Sequence, residues 1–428
     1  MHAEVEAARA VRLAATPDRM AAIERDRQDP LAGLRDHFAL PPDDIYLDGN
    51  SLGAMPRTVP ATLAEALEDG WAKGLIRSWN ERDWHMLPVI VGDRLAPLMG
   101  AASGEVLVSD STSVNLFKVF CAAMGLRPGR TGVISERNNF PTDIHILQGA
   151  IANVHRHAHL ALAGDDDASV EALINGDTAV VCLSHVNYRT GQLRDMARLT
   201  RAAHAAGALV IWDLCHSLGA LPVDLNGAGV DFAVGCTYKY LNSGPGGPAW
   251  LFVAARHLDG IESPLTGWQG HAAPFAFEID YRPAATIEKF RCGTPPVLSY
   301  LPLIESLKIF EAADMSLVRA KSVALTSLFI SLVETRLAGH GLAVISPRDP
   351  DGRGSQVALT HAKGWEIMQA LIACGVIGDF RAPDILRFGF TPLYTRFEDV
   401  WAAVAVLERI MATGLWQAPA FAERKRVT

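Results

Sequence analysis

The chain has 428 residues, 49% hydrophobic and 20% charged, with a formal net charge of −8. That composition excludes a disordered chain, the length exceeds one small core, and an acidic balance without a basic run argues against a nucleic-acid surface. Cys121, Cys182, Cys215, Cys236, Cys292 and Cys374 are scattered, form no CxxC pair and read as buried reduced thiols. No stretch of signal-peptide type and no apolar run of membrane-spanning length is evident, so a cytoplasmic location is expected.

In chain order, Val5 to Arg25 has the pattern of a polar, Ala-rich amphipathic helix, and Pro41-Pro42 ends the helical N-terminal segment. From Ile45 to Tyr300 short apolar runs alternate with helical stretches. Strands are expected at Val106 to Val108, Gly132 to Ser135, Ala179 to Ser184, Ala208 to Asp213, Phe232 to Gly235 and Trp250 to Val253. Runs so uniformly apolar are covered on both faces, as in a parallel sheet. One intervening helix is capped by Asp195, carries Met196, Leu199, Ala203 and Ala206 on one face, and stops at Gly207. Beyond Tyr300 come a long helix from Ser316 to Leu337, strands at Leu342 to Ile345, Ser355 to Leu359 and Ile385 to Phe390, and a last helix opened by a Thr395-x-x-Glu398 capping box. The expected organisation is an N-terminal segment (1–50) packing with the small domain, a large α/β domain (51–300) with a mainly parallel sheet, and a smaller α+β domain (301–428).

The chemistry is expected at strand ends, where open α/β sheets bind ligands. The strand Val210-Ile211-Trp212 ends in Asp213, with His216 three residues on; Asp213 serves a ligand or caps a helix, in equal balance. The next strand leads into Thr237-Tyr238-Lys239-Tyr240, followed by Gly244-Pro245-Gly246-Gly247-Pro248. A lysine one strand after an aspartate, between two tyrosines and beside a glycine-rich turn, suits a Schiff base to an aldehyde cofactor, with Asp213 keeping a pyridine nitrogen protonated. Ser111, Thr112 and Ser113 precede a helix whose free N–H groups suit a phosphate, although an ordinary cap has the same look. Phe140 either stacks on a cofactor ring or packs in the core, and Asp143 either touches the cofactor or caps a helix. The tract His155-Arg156-His157-Ala158-His159 has no matching carboxylate or Cys nearby and reads as solvated or loop histidines rather than a metal site. Cys374 lies in an apolar run and reads as a buried thiol.

Taken in order, Tyr46-Leu47-Asp48-Gly49-Asn50-Ser51-Leu52-Gly53, Phe140-Pro141-Thr142-Asp143, Asp213-Leu214-Cys215-His216, Tyr238-Lys239-Tyr240-Leu241-Asn242 and Gly267-Trp268-Gln269-Gly270-His271 resemble the kynureninases over about residues 45 to 400. The Asp213 and Lys239 pair is general to the aspartate-aminotransferase superfamily, whereas the blocks around Lys239 and Trp268 are far more selective. The resemblance implies an aspartate-aminotransferase-like fold, a homodimer, pyridoxal 5'-phosphate (PLP) and hydrolysis of L-kynurenine to anthranilate and L-alanine in tryptophan degradation or pyridine-nucleotide synthesis. It implies Lys239 as the cofactor lysine, Asp213 at the pyridinium, Thr112, Ser113 and Tyr238 near the phosphate, and Phe140 on the ring. Asp143, Ser184 and His216 then touch the cofactor, Trp268 and Thr294 reach it from a partner subunit, and Tyr238 relays protons. Arg387, with Ser51 and Trp79, falls to the substrate: a guanidinium fork matches the α-carboxylate with two bonds. Animal kynureninases have Asn at the place of Thr294 and His near Ser78-Trp79-Asn80, so this chain resembles the bacterial branch. Trp79 then leaves no polar partner for a 3-hydroxyl, and 3-hydroxykynurenine is expected to be the weaker substrate. The rival readings are a cysteine desulfurase, a class-V-like aminotransferase and, more remotely, a PLP-binding regulator.

Overall fold

The computed structural model describes residues 1–424. Seven short strands pair into one sheet: β1 (Val106–Val108), β2 (Gly132–Glu136), β3 (His159–Ala163), β4 (Thr178–Ser184), β5 (Leu209–Asp213), β6 (Phe232–Gly235) and β7 (Trp250–Val253), in the order β1-β7-β6-β5-β4-β2-β3. The strands from β6 to β3 are mutually parallel, and β7 runs antiparallel to both β6 and β1. Every residue of β1, β2, β4, β5, β6 and β7 is buried, which is why their sequences read as unbroken apolar runs. Alternate residues nonetheless serve different cores. Val181, Leu183, Val210 and Trp212 face one, while Val180, Cys182, Leu209 and Ile211 face the other. The edge strand β3 is mostly half-exposed; its histidine-led sequence gave it no place among the expected strands.

Among the helices that pack against this sheet are α1 (Thr112–Gly125), α2 (Pro141–Asn153) and α3 (Met196–Ala205). Asp195 caps α3, its side chain accepting from Arg198 N. The register places Ser184 beside Asp213 and Asp213 beside Val234, so the carboxyl ends of β4, β5 and β6 form one rim.

A second core lies around an antiparallel sheet of β8 (Ala343–Val344), β9 (Gln356–Thr360), β10 (Asp379–Arg381) and β11 (Ile385–Gly389), ordered β8-β9-β11-β10, with helices α4 (Met315–Arg336) and α5 (Phe397–Thr413). The N-terminal stretch is two helices, His2–Ala10 and Pro17–Arg27, rather than the single helix expected; Thr16 caps the second and Pro17 sits at its first position. Both rest near α5. The cap of α5 also differs from expectation. Thr395 Oγ1 is engaged with Thr391 N at 3.2 Å, and Asp26 accepts from Phe397 N and Glu398 N at 2.7 and 2.9 Å while Asp399 accepts from Arg396 N. The N-terminal segment thus satisfies free N–H groups of a helix some 370 residues away, which no local pattern reveals.

Helix α4 is long and apolar enough to cross a membrane by length and composition, against the expectation of no such run. Its surroundings are those of a core helix: it packs on α5, Leu325, Phe329 and Val333 enter the second core, and buried Lys321 bonds Asp29 at 2.6 Å. Residues Ile45–Tyr46 pair in parallel with Val376–Ile377, which carries the following loop to Ser51 across the junction between the two cores.

Candidate active site

Lys239 follows β6 and stands half-exposed at the sheet rim. Its Nζ lies 2.9 Å from His216 Nε2, 5.8 Å from the centre of the Phe140 ring and 5.9 Å from that of Tyr238. Burial pushes the His216 imidazole well below its usual range, and the Lys239 charge adds to this. A neutral His216 therefore accepts from Lys239 through Nε2 and carries its proton on Nδ1, which is buried without a hydrogen-bond partner among the described residues. The turn that presents Lys239 is fixed from below. Gly53 N donates to the Tyr238 carbonyl at 2.7 Å, and a Cβ on Gly53 would come 2.3 Å from the Lys239 carbonyl, so only glycine permits this approach. The Gly244 to Pro248 turn folds onto Thr237, whose Oγ1 donates to the Pro248 carbonyl at 2.7 Å.

Asp213 is buried, and one of its oxygens accepts from Cys215 N at 2.6 Å. Asp143, in the first turn of α2, is fully buried, and neither of its oxygens has a hydrogen-bond partner among the described residues. Burial drives its carboxyl well above the usual carboxylate range, and the facing Asp213 charge pushes it further. Two buried carboxyl groups with so few donors form a site for a protonated ring nitrogen. Beside it, Ser184 Oγ donates to Asn139 Oδ1 at 2.6 Å, and that same oxygen accepts from Phe140 N at 2.7 Å. Asn139 thus ties the β4 end to the loop that holds Phe140, whose half-exposed ring meets Tyr188 edge-on at 5.1 Å.

Thr112 and Ser113 are the first residues of α1, whose cap Ser111 accepts from Val114 N at 3.4 Å. Thr112 Oγ1 lies 3.9 Å from Cys215 Sγ, and Ser113 Oγ lies 3.1 Å from Thr142 Oγ1. These contacts bring the starts of α1 and α2 to the same rim, where free N–H groups and helix dipoles suit a phosphate dianion. Amine, acid pair, aromatic face and anion cradle thus all stand on the rim, and the donor set fits PLP.

Arg387, on β11, has four of its five N–H groups engaged beside this rim. Its Nε and Nη2 bond Asp379, Nη2 also reaches Ser51 Oγ at 2.9 Å, and Nη1 reaches the Tyr188 carbonyl at 2.6 Å. The fork expected for a substrate carboxylate is occupied by Asp379 in this structure.

The other expected residues lie elsewhere on the chain. Trp79 and Thr294 line an open apolar cavity of about 610 Å³ with Trp71, Trp84 and Leu298, and none of Lys239, Asp213, His216 or Arg387 lines it. Trp268 is exposed and joins the same surface through Phe275, at 5.7 Å, which meets His85 at 6.1 Å; His85 in turn contacts the Trp79 carbonyl at 3.3 Å. Among the described residues, no group of three His, Cys, Asp or Glu side chains is placed to hold a metal. His155 packs on Phe120, and His159 contacts Thr131.

A family model for the kynureninase C-terminal domain matches residues 318–407. A kynureninase of Burkholderia pseudomallei strain 1106a is 53% identical over 411 residues, covering 95% of this chain and 99% of its own. One from Pseudomonas fluorescens is 48% identical over 407 residues, covering 94% and 98%. This chain belongs to the kynureninase family. It is accordingly a PLP-dependent hydrolase acting on a carbon–carbon bond. Solved structures with the same fold include a cysteine desulfurase from Thermococcus onnurineus NA1 (TM-score 0.73, 18% identity, 89% of this chain and 98% of that one). A C-DES mutant with glycine covalently linked to its PLP cofactor is another (TM-score 0.75, 17% identity, 87% and 98%). At those identities the likeness is one of fold, so the desulfurase reading gains nothing from it.

Asn139, Tyr188, Asp379 and Arg381 were missed in the sequence. Asn139 stands next to Phe140 and carried a readable signal, a polar residue opening the Phe-Pro-Thr-Asp turn. Tyr188 acts toward Arg387 through its backbone carbonyl, which residue type cannot show.

Proposed function

We propose that this site cleaves L-kynurenine with water to anthranilate and L-alanine, with Lys239 as the cofactor lysine; the observation that carries this reading is the Lys239 amine held 2.9 Å from a neutral His216 beside the Asp143–Asp213 pair. PLP, when bound, supplies an electrophilic aldehyde carbon and an electron-withdrawing ring. Lys239 Nζ would hold the cofactor at that carbon and, when free, would move the proton at the substrate Cα, with His216 Nε2 fixing its position. Asp213 would keep the ring nitrogen protonated, with the Asp143 carboxyl beside it and Phe140 placed to meet the ring. Thr112, Ser113 and the start of α1 take the phosphate, and Ser184 stands in reach through Asn139. Burial raises the Tyr238 phenol, aided by the neighbouring thiols and Asp213, so Tyr238 acts as a proton donor rather than a base at neutral pH. Water adds its oxygen to the aryl ketone, the Cβ–Cγ bond breaks, anthranilate leaves as the carboxylic acid, and the remaining three-carbon unit takes up a proton to become alanine.

Trp79, Thr294 and Trp268 fit this reading if the working unit is a homodimer whose exposed aromatic surface meets the partner's rim, with Trp268 and Thr294 reaching the partner's phosphate region. The same arrangement puts Trp79 at the substrate ring and favours kynurenine over 3-hydroxykynurenine. The division into an N-terminal segment packing with the small domain, a large domain and a small domain, and a cytoplasmic location, belong to the same proposal. The test is anthranilate fluorescence from purified holoenzyme and L-kynurenine, with Lys239→Ala as control. The reading predicts product from the wild type and none from the variant; no product from a wild type that binds PLP overturns it, and transamination and sulfide-release assays then identify the rival.

A further inference from the structure

The antiparallel register sets Asp379 of β10 directly opposite Arg387 of β11, and Arg381, two residues on from Asp379, shares its face. Both guanidinium groups converge on the buried Asp379. Arg387 Nε donates to Oδ1 at 2.8 Å, Arg387 Nη2 donates to Oδ2, and Arg381 Nη2 donates to Oδ2 at 2.7 Å. Ser51 Oγ donates to Asp379 Oδ2 at 2.7 Å and accepts from the two arginines, at 2.9 Å from Arg387 and 3.3 Å from Arg381.

A guanidinium has five N–H groups. Arg387 uses one from Nε and two from Nη2 on Asp379 and Ser51, and one from Nη1 on the Tyr188 carbonyl. One N–H remains, on a side chain only 1% exposed. Arg381 differs: its side chain is 38% exposed and, among the described residues, it bonds through Nη2 alone, while its Nε is shielded from solvent without a partner. A chain of contacts links Arg387 to the reactive amine: it bonds the Tyr188 carbonyl, the Tyr188 ring meets Phe140 at 5.1 Å, and the Phe140 ring centre lies 5.8 Å from Lys239 Nζ. Two guanidinium groups against the single charge of Asp379 leave a positive charge for an incoming anion.

We propose that Arg381 is the substrate-facing guanidinium of this site, taking the α-carboxylate jointly with the one free N–H of Arg387, and that Asp379 is the positioning residue that holds the two arginines in place. This rests on the reading of the site as kynurenine-cleaving, and it replaces a lone Arg387 fork with a two-arginine clamp. Arg387 is the rigid half, and Arg381, at the end of its strand, is the half open to solvent.

The test compares wild-type holoenzyme with Arg381→Gln, Arg381→Lys and Asp379→Asn, using L-kynurenine as substrate and kynurenamine, which is kynurenine without its carboxylate, as inhibitor. Arg381→Gln is expected to raise KM for kynurenine by about 10- to 100-fold, the equivalent of one charge-assisted hydrogen bond, with a smaller fall in kcat and unchanged kynurenamine affinity. Arg381→Lys recovers part of the loss, and Asp379→Asn shifts KM in the same sense. A KM within about twofold of wild type in Arg381→Gln, or equal loss of affinity for both compounds, overturns the clamp. If Arg381→Gln yields no holoenzyme, Arg381→Lys decides by the same comparison. A wild type that makes no anthranilate removes the kynurenine reading and the clamp with it, whereas an active wild type beside an unaffected Arg381→Gln removes the clamp alone.

Discussion

The rim around Lys239 and the aromatic surface around Trp79 are opposites in construction. The rim is polar and mostly buried: Asp143 at a helix start, Asp213 at a strand end, His216 in the turn that follows it and Arg387 in the middle of β11 are almost without solvent. The surface is apolar and open, with Trp71, Leu75, Ile76, Trp268, Phe275 and Phe277 all exposed. A rim of that kind is assembled by one chain. An exposed apolar face of that kind is the mark of an interaction surface, and the family residues found on it, Trp79, Trp268 and Thr294, have no role that this chain alone explains. The difference separates residues whose work is visible in one chain from residues to which the proposed homodimer would give work.

The largest expected effect breaks the rim. Asp213→Asn removes the charge that faces Asp143 and is expected to lower kcat on the order of 10²- to 10³-fold, the scale of losing one preorganised electrostatic partner; steady-state kinetics at saturating PLP and loss of the cofactor absorbance band check it. Next, Gly53→Ala drives a Cβ against the Lys239 carbonyl. The expected cost is about 1–3 kcal/mol of stability, read from denaturant unfolding, with weakened cofactor retention. A change on the aromatic surface should act differently: Trp79→Ala leaves the fold of the rim intact but is expected to make activity fall on dilution, with a lighter species by sedimentation. A wild type that is monomeric and fully active at high dilution contradicts the role given to that surface.

The smallest effect concerns pH. Burial, and then the charge of Asp379, raise the Asp48 carboxyl to about 7, opposed by Arg387 and Arg381. The phenols of Tyr46, Tyr240 and Tyr394, also raised by burial, stay neutral. Asp48 is therefore neutral below that pH and ionised above it, and once ionised it competes with the substrate carboxylate for the arginines. KM for kynurenine is expected to rise a few-fold as pH increases through about 7, and Asp48→Asn is expected to flatten that limb.

The sheet was legible because β1, β4, β5, β6 and β7 are buried on both faces and so write themselves as apolar runs, with Asp213 and Lys239 placed just where the runs end. The direction of β7 was not legible, since an apolar run has no polarity. Strand β10 escaped because it is three residues long and carries Asp379 and Arg381, whose meaning comes only from the partner strand. The cap on α5 escaped for a related reason: Asp26 supplies it from the other end of the chain. Local pattern found what local sequence enforces, and long-range pairing settled the rest.

The place of Lys239 at the centre of this chemistry is tested most directly by reducing the holoenzyme with borohydride and mapping the pyridoxyl-bearing peptide. A single modified residue, Lys239, is expected. Label on Lys118, Lys289 or Lys321, the buried lysines already bonded to carbonyl or carboxylate oxygens, would contradict it.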